Sequence, residues 1–117
     1  MVARISKIMR IFRSPAQDNG TRQISHSIRE IVFRKYNNKC AGSIPGLPCD
    51  YSVVDALQID HVLPRSIFCI NRTCNLQLLC SNCHSLKTKN FDRPLIDMHK
   101  QGQLRRKHVR EHLRRFL

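Results

Sequence analysis

All six cysteines of this 117-residue chain fall between Cys40 and Cys83. Cys80 and Cys83 form a C-x2-C pair within SNCHSLK. Two thiolates at that spacing on a strand-to-helix turn reach one tetrahedral zinc ion, which then needs two more ligands. Cys40 and Cys49 supply them from CAGSIPGLPCDY, a loop whose Gly and Pro residues let it curl back to one point. Cys69 and Cys74 are left over, either as replacements for Cys40 or Cys49 or as small buried residues. With 41% hydrophobic residues and no Trp, the chain builds only a modest core, which a structural metal helps to stabilise. No apolar secretion segment precedes the cysteines, so thiols or metal ligands in a reducing compartment, cytoplasm or nucleus, are expected and disulfides are not. No apolar run approaches the roughly 18 residues of a membrane span.

Charge is distributed in a complementary way. The net charge is +13. Residues 1–38 carry eight Lys/Arg against two acids, residues 39–83 three of each, and residues 84–117 ten against three. A neutral, cysteine-rich centre is thus flanked by two basic arms, which points to a polyanionic partner, with nucleic acid foremost. In the first arm Arg4, Lys7, Arg10 and Arg13 recur at every third position, and Ile5, Ile8, Met9 and Phe12 share a helical face. This suits a mitochondrial-type transit segment or a DNA-contacting arm, and the second basic arm favours the latter. In that second arm Val109, Leu113, Phe116 and Leu117 fall at helical spacing and seat the helix on the body. Arg105, Arg106, Lys107 and Arg110 then face outward along a phosphate track.

Turn-forming residues 14–23 read as a linker. Ser25 or Ser27 caps a helix running to Tyr36, with Ile28, Ile31, Val32 and Phe33 as its apolar stripe and Asn37-Asn38 as its end. Val53–Ile59 reads as a strand, stopped by Pro64, and Asn75–Cys80 as a second. Ser81 or Asn82 caps a helix carrying Cys83, His84 and Lys87. Pro94 opens another helix, which Gly102 breaks. His26, His99, His108 and His112, in basic and polar contexts, read as surface residues.

Between the cysteine pairs lies IDHVLPRS, residues 59–66, followed by NLQLLCSNCHSLKT, residues 75–88. The ordered set of Asp60-His61, Pro64, Asn75, the C-x2-C pair, His84 and Lys87-Thr88 resembles the HNH endonucleases. The departures are the long Cys40–Cys49 spacing and a 66–74 loop that lacks the family's frequent Gly-Gly and holds Cys69 and Cys74 instead.

The resemblance implies a small α+β protein: a ββα-metal core with a structural zinc site and flanking basic helical arms. It divides the chain into a basic arm and linker over 1–23, a nuclease domain over 24–93 and a basic helical extension over 94–117. Asp60 and His84 match the family's ligands for a catalytic divalent cation, His61 its general base, and Asn75 the residue that fixes the loop holding the base. A hard carboxylate oxygen, one imidazole and open positions suit Mg²⁺ or Mn²⁺. A histidine titrating near neutrality takes a proton from water. The buried amide of Asn75 bonds loop backbone through both its ends, which no charged side chain does. Arg65 and Lys87 flank the site and hold phosphate. The implied activity is metal-dependent hydrolysis of double-stranded DNA, leaving 5′-phosphate and 3′-hydroxyl ends, and a homodimer is compatible with one centre cutting one strand. His84, beside Cys83, as a zinc ligand in place of a cysteine stays open. The competing reading is a non-catalytic, zinc-stabilised nucleic-acid-binding module, which has no shared need for Asp60, His61, Asn75 and His84.

Overall fold

The computed structural model describes residues 2–13, 24–68 and 70–117, so the expected linker and Cys69 lie outside the described residues. Its centre is an antiparallel pair of strands, β1 (Leu57–His61) and β2 (Leu76–Cys80), with Leu57 opposite Cys80 and His61 opposite Leu76. Every residue of β2 is buried, because α2 (His26–Lys35) and α4 (Ser81–Lys87) both pack on it. The strand is therefore apolar at four of its five positions and does not alternate. Its one polar residue, Gln77, has both ends of its amide occupied: the Ser43 hydroxyl donates to Oε1 (2.7 Å) and Nε2 donates to Asp60 Oδ2 (3.0 Å). β1 begins later than the sequence suggests and runs on to His61. Leu57 already pairs with the last residue of β2, so residues before it have no ladder to join. Val54–Ala56 form a 3₁₀ turn instead, with Val53 and Val54 exposed.

Ser25 caps α2, accepting the Ile28 N–H at 3.2 Å. Val32 is fully buried, Ile28, Phe33 and Tyr36 are half-buried, and Ile31 faces outward. Ile31 and Phe33 lie on opposite flanks of the stripe formed by residues 28, 32 and 36, and only the Phe33 flank is covered. The helix ends where Asn37 and Asn38 adopt left-handed backbone (φ 56° and 57°), a conformation asparagine tolerates better than most residues.

Pro94 stands in the first turn of a helix, as expected, but that helix is not free-standing. α4 passes through a π-helical turn, Thr88–Asp92, directly into α5 (Arg93–Lys100). The wider turn, in which the Arg93 N–H reaches Thr88 O, accommodates a proline near the start of α5, where a missing N–H is least disruptive. α5 ends at Gly102 (φ +69°), and α6 (Arg106–Phe116) returns across the body, burying Val109, Leu113 and Phe116. A short helix, α3 (Arg65–Phe68), follows Pro64, whose carbonyl accepts the N–H groups of Ile67 and Phe68. None of these helices is long and apolar enough to cross a membrane, among the described residues.

The N-terminal helix α1 (Val2–Arg13) also joins this body, packing near α6 and the turn before β2, with Ile8 and Met9 buried. Arg4 turns inward. Its Nε donates to Cys74 O (2.8 Å), Nη2 to Leu76 O (3.0 Å) and Nη1 to the Tyr36 hydroxyl (3.2 Å). The guanidinium thus staples α1 to the start of β2 and to the end of α2. Arg4→Met strands two carbonyls, so it should cost about 1–3 kcal/mol in urea unfolding. An unchanged midpoint would mean that α1 is held by its apolar face alone.

Candidate metal centre and active site

The sulfurs of Cys40, Cys49, Cys80 and Cys83 lie within 4.8 Å of one another. Three local features bring them there. The chain leaving α2 pairs with the hairpin, Ala41 N–H to Leu78 O (2.7 Å), while Cys40 N–H reaches Tyr51 O (2.8 Å) across the loop. Gly42, at φ +62°, lets the loop close on itself, because a Cβ there would lie 2.5 Å from Cys49 O. Cys80 ends β2, and its sulfur, not Ser81 or Asn82, caps α4 by accepting the Cys83 N–H at 3.5 Å.

A tetrahedral zinc with Zn–S bonds of about 2.3 Å sets its sulfurs about 3.8 Å apart. The Cys49–Cys80 separation is 3.8 Å, so the four residues fit such an ion. Burial pushes the Cys40 and Cys83 thiols up. At Cys80 burial acts the same way but is outweighed by the Cys83 N–H and the neighbouring thiols, leaving this thiol lowered. Cys74 is buried elsewhere, beside Arg4. His84 turns away from the sulfurs toward Asp60.

The second cluster forms where β1 ends. Asp60 is buried, with Oδ2 taking the Gln77 amide (3.0 Å) and the Lys87 ammonium (3.1 Å). Its other oxygen, Oδ1, lies 3.6 Å from Nε2 of His84, whose ring is partly open to solvent. Adjacent octahedral ligands of Mg²⁺, bound at about 2.0–2.1 Å, lie about 2.9 Å apart, so Asp60 Oδ1 and His84 Nε2, 3.6 Å apart, would close by roughly 0.7 Å on one divalent cation.

His61, the next residue, places Nε2 2.7 Å from Asn71 Oδ1. A carbonyl oxygen only accepts, so Nε2 carries the proton and Nδ1 keeps its lone pair. Burial lowers the His61 pKa, and the nearby Arg65 and Lys87 charges add to this, partly offset by Asn71 and Asp60. That favours the neutral, proton-accepting ring. Asn75, fully buried, uses both ends of its amide on the intervening loop. Oδ1 accepts the Leu63 N–H (2.8 Å), and Nδ2 donates to Ile70 O (3.0 Å) and Leu63 O (3.4 Å).

Two residues stand elsewhere than the sequence suggests. Lys87, expected at a phosphate, is wholly buried. Besides Asp60 it donates to His61 O (3.0 Å) and to both oxygens of Asp92 (2.7 and 2.9 Å), and it lies 5.2 Å from the centre of the Phe116 ring. A buried ammonium keeps its charge only with such partners. His112, read as a surface residue, is buried, and its Nε2 donates to Val62 O at 2.7 Å. Burial and the Lys87 charge pull the His112 pKa down to about 4, so the ring is neutral at pH 7. Burial raises Asp92 to about 6 against the pull of Lys87. Arg65 stays beside His61, its Nε buried without a hydrogen-bond partner. On α6 and just before it, Arg105, Arg106 and Lys107 are exposed and Arg110 half-buried. Asn71, Asp92 and His112 carry no spacing signal of their own, since their partners lie in other elements or five positions away along a helix.

Residues 46–90 match the family model described as HNH endonuclease. This stretch contains Cys49, Asp60, His61, Asn75, Cys80, Cys83 and His84, whereas Cys40 and all of α6 lie outside it. No curated protein and no solved structure matches the chain.

Gly42→Ala should cost about 1–3 kcal/mol of stability through forced left-handed backbone, and should also loosen the sulfur cluster. Elemental analysis after chelator competition checks this: the variant should lose metal at lower chelator concentration than wild type. Equal retention would show that the Cys40–Cys49 loop does not set the cluster.

Proposed function

We propose that the protein is a metal-dependent HNH endonuclease that hydrolyses DNA phosphodiester bonds, with zinc in the four-cysteine cluster. One observation chiefly supports this. A carboxylate oxygen and an imidazole nitrogen stand 3.6 Å apart at the end of β1, beside a histidine held in the tautomer that accepts a proton at Nδ1.

The soft thiolates select zinc, and such sites contribute about 10–16 kcal/mol of binding free energy to folding. Asp60 Oδ1 and His84 Nε2 would hold the catalytic Mg²⁺ or Mn²⁺. When bound, that ion stabilises the charge developing on the phosphate. His61 Nδ1 takes the proton of the water that attacks phosphorus, and the 3′ oxygen leaves. Asn71 fixes the tautomer and direction of that ring. Asn75 fixes the loop between the strands, so that Asn71 stays within reach of His61. Arg65 offers its guanidinium to the phosphate under attack. The outer face of α6 runs along the DNA backbone with Arg105, Arg106, Lys107 and Arg110.

Supercoiled plasmid incubated with the purified protein and Mg²⁺ or Mn²⁺ tests the reading. Wild type should relax or linearise it, and chelation should stop the reaction. His61→Ala should keep the fold and DNA binding yet lose about 10²–10⁴ in rate. Cleavage at the wild-type rate by that variant would leave a binding module instead.

The basic face has a separate signature. Each phosphate neutralised on duplex DNA adds about −0.9 to the slope of log affinity against log salt. Replacing Arg105, Arg106, Lys107 and Arg110 by Ala together should weaken binding to unrelated sequences alike and flatten that slope. Cleavage at low salt and saturating protein should persist. An unchanged slope would assign DNA to other residues.

A further inference from the structure

The Lys87 ammonium meets three acceptors at once: Asp60 Oδ2, the His61 carbonyl and the Asp92 carboxylate. Its shortest contact is with Asp92, at 2.7 Å. Five positions along an ordinary α-helix rotate a side chain by about 140°, so residues 87 and 92 would face apart. The π-helical turn over Thr88–Asp92, with hydrogen bonds reaching five residues along, brings them to one side. Such turns are rare and cluster at functional sites.

α6 closes the assembly. His112 Nε2 lies 3.4 Å from Asp92 Oδ1 while donating to Val62 O, and the Phe116 ring covers the ammonium. Asp92 and His112 touch neither Asp60 nor His84 in any recorded hydrogen bond or ion pair, and both lie outside the stretch that matches the HNH family.

We propose that Asp92 and His112 are positioning residues for the cation-holding pair, acting through Lys87. The proposal rests on the nuclease reading above. Lys87 occupies Oδ2 of Asp60 and so turns Oδ1 toward His84, leaving that oxygen for the metal. Asp92 holds the ammonium from the opposite side. It keeps Lys87 from collapsing fully onto Asp60 and leaves the three charged groups with a net charge of −1. Without the Asp92 charge, Lys87 pairs with Asp60 alone, and a divalent ion meets a neutralised carboxylate. His112 gives its one Nε2 proton to the Val62 carbonyl that follows His61 and packs against Asp92 Oδ1 at 3.4 Å.

The test is Mn²⁺ binding to the zinc-loaded protein without DNA, followed by electron paramagnetic resonance, alongside thermal unfolding. Asp92→Asn keeps the shape and removes the charge. It should weaken Mn²⁺ binding about 10–100-fold, as loss of a partner to a metal-holding group does, and raise the Mn²⁺ needed for half-maximal cleavage in step. His112→Ala should shift binding in the same direction, and His112→Gln, which keeps an N–H for Val62 O and Asp92, should restore it. A purely structural role predicts lower melting temperatures with Mn²⁺ affinity unchanged. That result in folded Asp92→Asn overturns the proposal, and in folded His112→Ala it does so if Asp92→Asn fails to fold. Asp60→Ala separates the two levels. If it leaves Mn²⁺ binding intact, the nuclease reading of the site fails. If it abolishes binding while Asp92→Asn and His112→Ala do not weaken it, only the positioning role fails.

Discussion

Four sulfur atoms within 4.8 Å of one another join stretches that a two-stranded hairpin could not hold by itself. An isolated hairpin is marginal in water, and this one is only five residues long on each side. The sulfurs come from the end of the α2 connection, from the Gly/Pro loop, from the last residue of β2 and from the first turn of α4. Bringing them to one point sets the angle at which α4 leaves the sheet. It also explains why Cys80 caps the helix with its sulfur: a serine or asparagine cap would compete for the same N–H groups that orient the C-x2-C turn.

That placement carries straight into the second cluster. His84 directly follows Cys83, and Lys87 lies one turn further along α4. A helix whose first turn carries one of the clustered sulfurs therefore delivers an imidazole and an ammonium to the end of β1. There the strand offers Asp60, and the cross-strand partner Gln77 fixes one of its oxygens. The neighbour of Asp60 on a regular strand faces the other way. His61 resolves this by ending the strand, so that its ring is set by Asn71 in the loop and not by the sheet.

Much of this was legible because spacing encodes it. The C-x2-C pair, the Gly/Pro loop around Cys49 and the apolar run of β2 each depend on neighbours in sequence, and β2, α2 and α4 lie close to where these patterns put them. The amide of Asn75 was legible for a chemical reason, since only an uncharged amide both donates and accepts. Lys87 and His112 were misread because their burial is decided by tertiary partners. A lysine three residues after His84 reads as a phosphate contact until Asp92 comes round to meet it, and that depends on a π-helical turn that no α-helical periodicity displays. Arg4 belongs with them. Its place in an evenly spaced basic series resembles a contact arm, yet the carbonyls of Cys74 and Leu76 draw it inward. The position of β1 was misjudged because a strand extends only as far as its partner, and the length of β2 is set by the turn into α4.

The charge of the chain is sorted in space as well as in sequence. Its net charge is +13 with only eight acids, and two of these, Asp60 and Asp92, are buried around a single buried lysine. α6 separates the two fields: His112 and Phe116 face Asp92 and Lys87, while Arg106, Lys107, Arg114 and Arg115 are exposed to solvent. On the proposed function, the outer face would meet the polyanion and the inner carboxylates the divalent cation. Screening acts over about 8–10 Å in physiological salt and falls chiefly on exposed charge. On the proposed function, a hold on DNA would therefore be the salt-sensitive half of such an arrangement, and a hold on the cation would be the half that depends on how Asp60 is oriented.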